Sequence, residues 1–236
     1  MKTSKFAILI VLALLLNSCI VKSLQPFYTE KSIRYTEKII GNWQESKTAT
    51  WEIQSFKEEL KKDSNTNKKN KSKFSEGVSK VINGIITKGN DSINAIYNNS
   101  YIAKYTKREK EAYFIAMPFK IDDQYFLDFI PFMYDSKDTS QLTKEHLIVT
   151  HSVAKLDINS NNTLNLSWLD EDRIEDLFKA NKLRLKHERI GIEEDLILTA
   201  SSKELYAFLK KYITSNIEDK WNASDRITLT KTDAKP

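Results

Sequence analysis

The chain has 236 residues, a formal net charge of +5 and a single cysteine. Two of the lysines lie among the first five residues, and residues 57–73 hold seven lysines against three acidic residues. The remainder is therefore close to neutral, which excludes the basic face of a typical nucleic-acid-binding protein. One cysteine also excludes an internal disulfide.

The N-terminus has the pattern of a signal peptide. Two lysines precede eleven consecutive apolar residues at 6–16, and the small residue Ser18 then precedes Cys19. This run is too short to span a bilayer, which takes about 20 apolar residues. The pattern is typical of a bacterial lipoprotein signal. We therefore predict that residues 1–18 are removed and that the membrane is a partner of this chain, bound through the lipidated Cys19.

The rest of the chain suits one domain with a tether. Residues 19–38 are predicted to be the lipidated N-terminus and tether, residues 39–231 a single domain, and residues 232–236 a tail. Residues 57–73 are rich in Lys, Asn, Ser and Thr and contain no aromatic residue. Such a composition buries too little apolar area to offset the entropy lost on ordering, so we predict a flexible insert there.

Hydrophobic periodicity indicates an α+β fold that consists mainly of antiparallel β-sheet. Strands are predicted at 39–44, 49–56, 100–105, 111–120, 124–132, 147–158, 163–168, 184–190, 196–199 and 226–230. Helices are predicted at 74–86, after Asp170, and after Ser201, which forms a capping box with Glu204. The strands within 111–132 are apolar on both faces, so we expect both faces to be covered.

Asp128 and His151 are the polar residues of greatest interest. Asp128 interrupts an apolar strand, and a buried carboxylate requires a partner or a shifted pKa. It is either a proton acceptor or ligand anchor, or, as we favour, part of an ion pair or the acceptor of a backbone group. His151 shares a strand face with apolar residues and is predicted to be a hydrogen-bonded core histidine. His146 faces the opposite side, so the two histidines cannot bind one metal from this strand.

The chain contains no glycine-rich phosphate loop and no nucleophile elbow. We therefore predict no catalytic residues, no metal and no cofactor, and a protein that is not an enzyme.

Two resemblances add to this interpretation. Cys19, the stretch Ser-Leu-Gln-Pro-Phe-Tyr-Thr at 23–29 and Gly41-Asn42-Trp43 resemble the N-terminus of an uncharacterised group of Bacteroidetes lipoproteins. Gly41-Asn42-Trp43 is also similar to the Gly-x-Trp of lipocalin-like barrels. The second resemblance implies a partly closed barrel, against which the two or three helices predicted from the residue pattern would pack; a lipocalin would have a continuous meander of strands in their place. In such a barrel Trp43 would close one end, covered by a basic side chain from the last strand, here Arg226.

The sequence thus predicts a lipid-anchored protein of the bacterial cell envelope, on the periplasmic face of the outer membrane, that binds an apolar small molecule or lipid. The alternative is an envelope protein that binds another protein and has no ligand pocket. An apolar cavity of about 300 Å³ or more would favour the first function. A filled interior with an exposed apolar patch would favour the second. The candidate ligand or core positions are Trp43, Tyr113, Phe126, Asp128, His151 and Arg226.

Overall fold

The computed structural model describes residues 20–65, 96–133, 147–221 and 226–232. Within these ranges the chain forms eleven strands and three α-helices. The strands are β1 (Lys22–Ser23), β2 (Gly41–Ser46), β3 (Ala49–Ser55), β4 (Tyr101–Lys107), β5 (Lys110–Ile121), β6 (Gln124–Met133), β7 (His151–Ile158), β8 (Thr163–Trp168), β9 (His187–Ile190), β10 (Asp195–Leu198) and β11 (Ile227–Thr232). The helices are α1 (Phe56–Asn65), α2 (Glu171–Lys179) and α3 (Ser202–Thr214). None of these helices is long and apolar enough to cross a membrane.

Eight of the described strands form a closed antiparallel barrel in the order β2-β3-β4-β5-β6-β7-β8-β11. The barrel closes because β6 pairs with β7, and because β11 pairs with β8 on one side and with β2 on the other. The sheet also continues beyond the barrel, because β1 pairs with the start of β7, β10 pairs with β1, and β9 pairs with β10. The predicted α+β fold with a lipocalin-like barrel and packed helices is therefore confirmed, and the barrel is fully rather than partly closed.

Inward-facing side chains fill the barrel. Alternation along each strand directs every second residue to the interior, and the largest of these residues are aromatic. The buried members of this core are Ile39, Trp43, Trp51, Ile53, Tyr101, Ala103, Ala116, Leu127, Phe129, Ala154, Leu156, Leu164, Leu166, Trp168 and Leu229. An eight-stranded barrel is just wide enough to be filled by side chains or to hold one small ligand.

Residues 33–40 close the end of the barrel at which β2 begins. The indole Nε1 of Trp43 donates a hydrogen bond to the carbonyl of Ile39 at 2.9 Å. The Tyr101 hydroxyl accepts from the backbone N–H of Thr36 at 2.9 Å and donates to its carbonyl at 2.7 Å. These contacts join the segment before β2 to two large side chains of the barrel interior. We call this the closed end.

The basic residue over Trp43 is Lys231, and the expectation for Arg226 is corrected. Lys231 lies opposite Trp43 in the β2–β11 ladder, and its Nζ is 5.3 Å from the centre of the indole ring. Arg226 lies five residues earlier, an odd spacing that directs it to the other face of the strand, and it is exposed. Gly41 has a φ of +137°, and a Cβ there would lie 3.1 Å from Lys231 Cε. Glycine therefore leaves room for this lysine.

The outer faces of β5, β6 and β7 are covered by a second layer. This layer consists of the N-terminal segment, α2, β10 and α3, and its core includes Phe27, Phe119 and Phe126, each 0% exposed. The prediction that the strands within 111–132 are covered on both faces is confirmed.

Residues 20–38, predicted to be a tether, are part of the fold. β1 pairs antiparallel with β7 and parallel with β10. Val21, Ser23 and Phe27 are buried, and the two apolar side chains complete the second core. The segment docks because its apolar residues bury more favourably against the barrel than in water. The described domain therefore begins at residue 20 rather than at residue 39.

The predicted flexible insert at 57–73 is helical in its first part. α1 covers the outer face of β4 and β5, where Phe56 packs with Ile102 and Tyr113. The apolar residue that starts this helix lies just before the lysine-rich stretch, which explains why composition alone missed it. Residues 66–73 and the predicted helix at 74–86 lie outside the described residues.

The remaining elements agree closely with prediction, except that two strands begin late. The strand predicted at 184–190 begins only at His187. The Ser201 capping box is present at α3: Ser201 N–H donates to Glu204 Oε2 at 2.9 Å, and Glu204 N–H donates to Ser201 Oγ. Asp170 caps α2 by accepting the N–H of Arg173 at 2.8 Å. The strand predicted at 147–158 begins only at His151, and residues 147–150 have no regular structure.

Candidate functional site

The structure distributes the predicted site residues over different regions. Trp43 faces the barrel interior at the closed end. Tyr113 lies beneath α1, and Phe126 lies in the second core, so both are buried between the barrel and its outer layer. Arg226 lines an open depression of about 530 Å³. Cys19 lies outside the described residues. Only Asp128 and His151 are brought together.

Asp128 and His151 form a buried pair on the outer face of the barrel wall. Asp128 Oδ1 lies 2.6 Å from His151 Nδ1, and Asp128 Oδ2 accepts the backbone N–H of Phe27 at 2.8 Å. The Asp128 side chain is 1% exposed and the His151 side chain 14% exposed. Asp128 thus has an ion-pair partner and a backbone donor, the two kinds of partner that the favoured interpretation expects. His151 is hydrogen-bonded as predicted.

Burial sets the electrostatics around Asp128. Removal from water raises the pKa of the Asp128 carboxyl, and its hydrogen bonds to His151 and Phe27 N–H oppose this change. Burial also raises the pKa of Tyr28 and Tyr97, and the charge of Asp128 raises both further. Each oxygen of the Asp128 carboxylate is bonded to a protein group. Because one of these groups is Phe27 N–H, the carboxylate joins the N-terminal segment to the barrel.

Aromatic side chains line the other end of the barrel, where β6 ends and β7 begins. The ring centres of Trp51 and Tyr105 are 4.8 Å apart, those of Trp51 and Phe129 6.1 Å, and those of Phe129 and Trp168 5.8 Å. Phe114 meets Phe129 edge-on at 5.9 Å. Tyr105 and Phe114 are half-buried, and the other three rings are buried. We call these five residues the mouth cluster and this end of the barrel the mouth.

Two indole N–H groups of the mouth cluster differ in their partners. Trp51 Nε1 donates to Glu45 Oε2 at 2.9 Å. Trp168 is 6% exposed, and among the described residues its buried Nε1 has no hydrogen-bond acceptor. A buried donor without an acceptor costs about 1–3 kcal/mol. The mouth therefore contains one buried donor that a bound molecule could satisfy.

Exposed apolar residues lie beside the mouth. Leu147, Ile148 and Val149 precede β7 and are 47%, 62% and 45% exposed. Their side chains form a consecutive apolar stretch in contact with solvent. Such a stretch is a feature of surfaces that bind other molecules.

Three depressions of the described surface are open to solvent, and one of them reaches Trp51 of the mouth cluster. One, of about 530 Å³, lies between Lys38, Tyr125 and Arg226. A second, of about 460 Å³, lies between α1 and the start of β2. A third, of about 520 Å³, lies over β2, β3 and β4, and Trp43 and Trp51 line it together with polar residues.

Sequence reasoning missed Trp51, Trp168, Glu45 and Lys231 as site residues. Trp51 and Trp168 were predicted on buried strand faces, but alternation does not reveal that their strands meet across a closed barrel. A basic residue at an inward position of the last strand was the available signal for Lys231.

Comparison of the chain with models of protein families, with curated proteins and with solved structures finds no match. Within the described part of the chain, no group of three or more His, Cys, Asp or Glu residues could hold a metal ion.

Replacing Asp128 tests the buried pair. Asp128→Ala leaves Phe27 N–H and His151 Nδ1 without their acceptor, and removing one partner of such a pair costs about 3–5 kcal/mol. Asp157→Ala is the control on the neighbouring strand β7, because Asp157 pairs with Lys155 in a partly exposed ion pair worth less than about 1 kcal/mol. Urea unfolding of both variants measures the difference. Equal losses in the two variants would contradict the structural role of Asp128.

Proposed function

We propose that this protein is a non-catalytic, lipid-anchored module of the bacterial cell envelope that binds an apolar small molecule or lipid at the mouth of its barrel. The two ends of the barrel differ in a way that supports binding at the mouth. The closed end is covered by residues 33–40, whereas the mouth carries half-buried rings and an unsatisfied donor. Ligand access is therefore assigned to the mouth.

The single observation that carries the proposal is the Nε1 of Trp168. This donor belongs to a ring that stacks on Phe129 in the barrel interior, and it has no acceptor in the described chain. Buried polar groups normally have a partner. A ligand that brings a carbonyl, hydroxyl or carboxylate oxygen to Trp168 would supply the missing partner.

The ligand body is assigned an apolar or aromatic character because it must lie against the mouth cluster. Tyr105 and Phe114 are half-buried and stand at the solvent side of this cluster. Since the interior is already filled by side chains, entry requires these two rings to turn aside. A slender chain or a flat ring system with one acceptor oxygen meets these requirements.

The anchor is proposed from the N-terminal sequence. A charged start, eleven apolar residues and Ser18-Cys19 support export and lipidation of Cys19. Several acyl chains on one residue hold a protein on a membrane durably, at about 0.8 kcal/mol per buried methylene.

Binding of an envelope protein is the second candidate function, and it meets the criterion of a filled interior with exposed apolar residues. The ligand proposal stands on the Trp168 donor against that criterion. The consecutive exposed side chains of Leu147, Ile148 and Val149 favour it, because they offer an apolar contact outside the barrel. The two candidates use the same end of the molecule but different residues, so variants can distinguish them.

The Trp168 donor predicts an unusual effect on stability. Trp168→Phe keeps a large ring and removes a donor that has no acceptor, so the unliganded protein should lose little from hydrogen bonding. Trp51→Phe is the matched control, because it removes a donor bonded to Glu45 and should cost about 1 kcal/mol more. Urea unfolding compares the two variants. A larger loss in Trp168→Phe than in Trp51→Phe would indicate that the Trp168 donor is satisfied within the protein.

Binding is tested with cis-parinaric acid, a fluorescent fatty acid with an apolar chain and a carboxylate. We expect saturable binding to the full chain, weakened about tenfold in Trp168→Phe, which is the effect of losing about 1.4 kcal/mol. Ile148→Asp should bind the probe as the unaltered protein does. Absence of saturable binding, or a loss only in Ile148→Asp, would contradict the ligand site and favour the protein-binding alternative.

Replacing Cys19 tests the anchor independently. Cys19→Ala should abolish incorporation of labelled palmitate and release the protein from membranes, because no other site for the acyl chains is proposed. Cell fractionation and acyl labelling in a bacterial host that processes lipoproteins measure both effects, with Lys22→Ala as a control that keeps the cysteine. Membrane retention of Cys19→Ala would contradict the proposed localisation.

A further inference from the structure

β9 is the outer strand of the sheet that continues beyond the barrel. It pairs with β10 and, within the described part of the chain, with no other strand. The N–H of Thr199 donates to the carbonyl of Lys186 at 2.9 Å. Because hydrogen-bonding residues alternate along an antiparallel strand, Glu188 also faces β10, whereas His187 and Arg189 direct their N–H and C=O groups away from it. β9 therefore presents backbone groups to which another strand can bind.

The two faces of β9 differ in what covers them. On one face lies α2, whose Glu175 Oε1 accepts a hydrogen bond from Arg189 Nη2 at 2.7 Å. On the other face Lys186 and Glu188 are exposed, and neither is held in an ion pair with another described residue. The charge of Lys186 lowers the pKa of Glu204, again without an ion pair. The uncovered face thus carries a cation and an anion two residues apart, both available to a partner.

The order of these charges makes the edge complementary to a second copy of itself. Two copies related by a twofold axis pair antiparallel, and residues that lie opposite each other point to the same face. If the axis passes through His187, Lys186 lies opposite Glu188 of the second copy, and Glu188 lies opposite Lys186 of that copy. The outward N–H and C=O groups of His187 then meet those of their symmetry mate. This register forms two ion pairs on the face that α2 leaves uncovered.

The neighbouring registers bring like charges together. An axis through Lys186, Glu188 or Arg189 places that residue opposite its own copy. Like charges directly opposite each other destabilise a strand pair, whereas unlike charges contribute about 0.2–1 kcal/mol per pair. Of these four registers, only the one through His187 avoids a pair of like Lys, Arg or Glu charges.

We propose that β9 is a dimerisation edge, at which two copies of this chain pair antiparallel about His187 and are held by two ion pairs between Lys186 and Glu188. The strand has four residues, so the contact is small beside the 1,200–2,000 Å² or so that stable interfaces bury. The dimer is therefore weak and depends on protein concentration. It requires neither the lipid anchor nor a ligand at the mouth.

Disulfide trapping tests the register. Opposite residues of a hydrogen-bonded pair have Cα atoms about 5.5 Å apart, within the range of about 4.4–6.8 Å that a disulfide spans. His187→Cys should therefore form a covalent dimer across the axis. Arg184→Cys is the matched control, because it is also exposed but would lie about 20 Å from its copy, at about 3.4 Å per residue. Both variants are made in the full chain with Cys19→Ala, which removes the other thiol, in non-ionic detergent.

We expect disulfide dimers to form several-fold faster with His187→Cys than with Arg184→Cys under mild oxidation. Adding Lys186→Glu to His187→Cys should slow trapping several-fold, because two glutamates then lie opposite each other. Adding Glu188→Lys as well exchanges the charges and should restore the rate. Equal trapping at 184 and 187 would overturn the register. A rate that is insensitive to Lys186→Glu, or that the exchange of charges fails to restore, would overturn the ion pairs.

Discussion

The buried carboxylate of Asp128 is the contact on which the arrangement of this protein depends. It accepts the N–H of Phe27 and pairs with His151, and it thereby holds the N-terminal segment against the outer wall of the barrel. This contact lets Phe27 complete the second core. It also fixes the chain on the N-terminal side, so that Ile20 has one position on the surface.

Barrel closure supplies the second constraint. Because β11 pairs with both β8 and β2, the chain must return after α3 to complete the wall, and Lys231 then covers Trp43. The covered end leaves the mouth as the side at which solvent meets the aromatic interior. A filled interior with one unsatisfied donor, Trp168 Nε1, is consistent with a site that opens at its entrance. The proposed ligand site therefore depends on the same closure as the fold.

Much of this fold could be predicted from local pattern. Alternation located the barrel strands, and the capping box at Ser201 located the start of α3. Asp128 was identified because a charged group in an apolar strand must have a partner. The partner itself, Phe27, could not be predicted, since the contact joins residues 101 positions apart. The assignment of Arg226 failed for the same reason: the residue over Trp43 is set by the register of β11 on β2, which periodicity does not specify. The prediction of a tether at 20–38 was wrong because composition does not show that Val21 and Phe27 will be buried.

Residues 20–32 are a docked part of the domain, and the hydrogen bond from Phe27 N–H to Asp128 holds them against the barrel. Hydrogen exchange of the Phe27 amide, measured in the full chain by mass spectrometry or NMR, tests whether this segment is docked. The Asp128 hydrogen bond and the burial of Phe27 predict exchange as slow as that of the central residues of β6 and β7, because opening then requires the second core to separate. Exchange of this amide at the rate of an unstructured peptide, with β6 and β7 still protected, would show that residues 20–32 are not docked on the barrel.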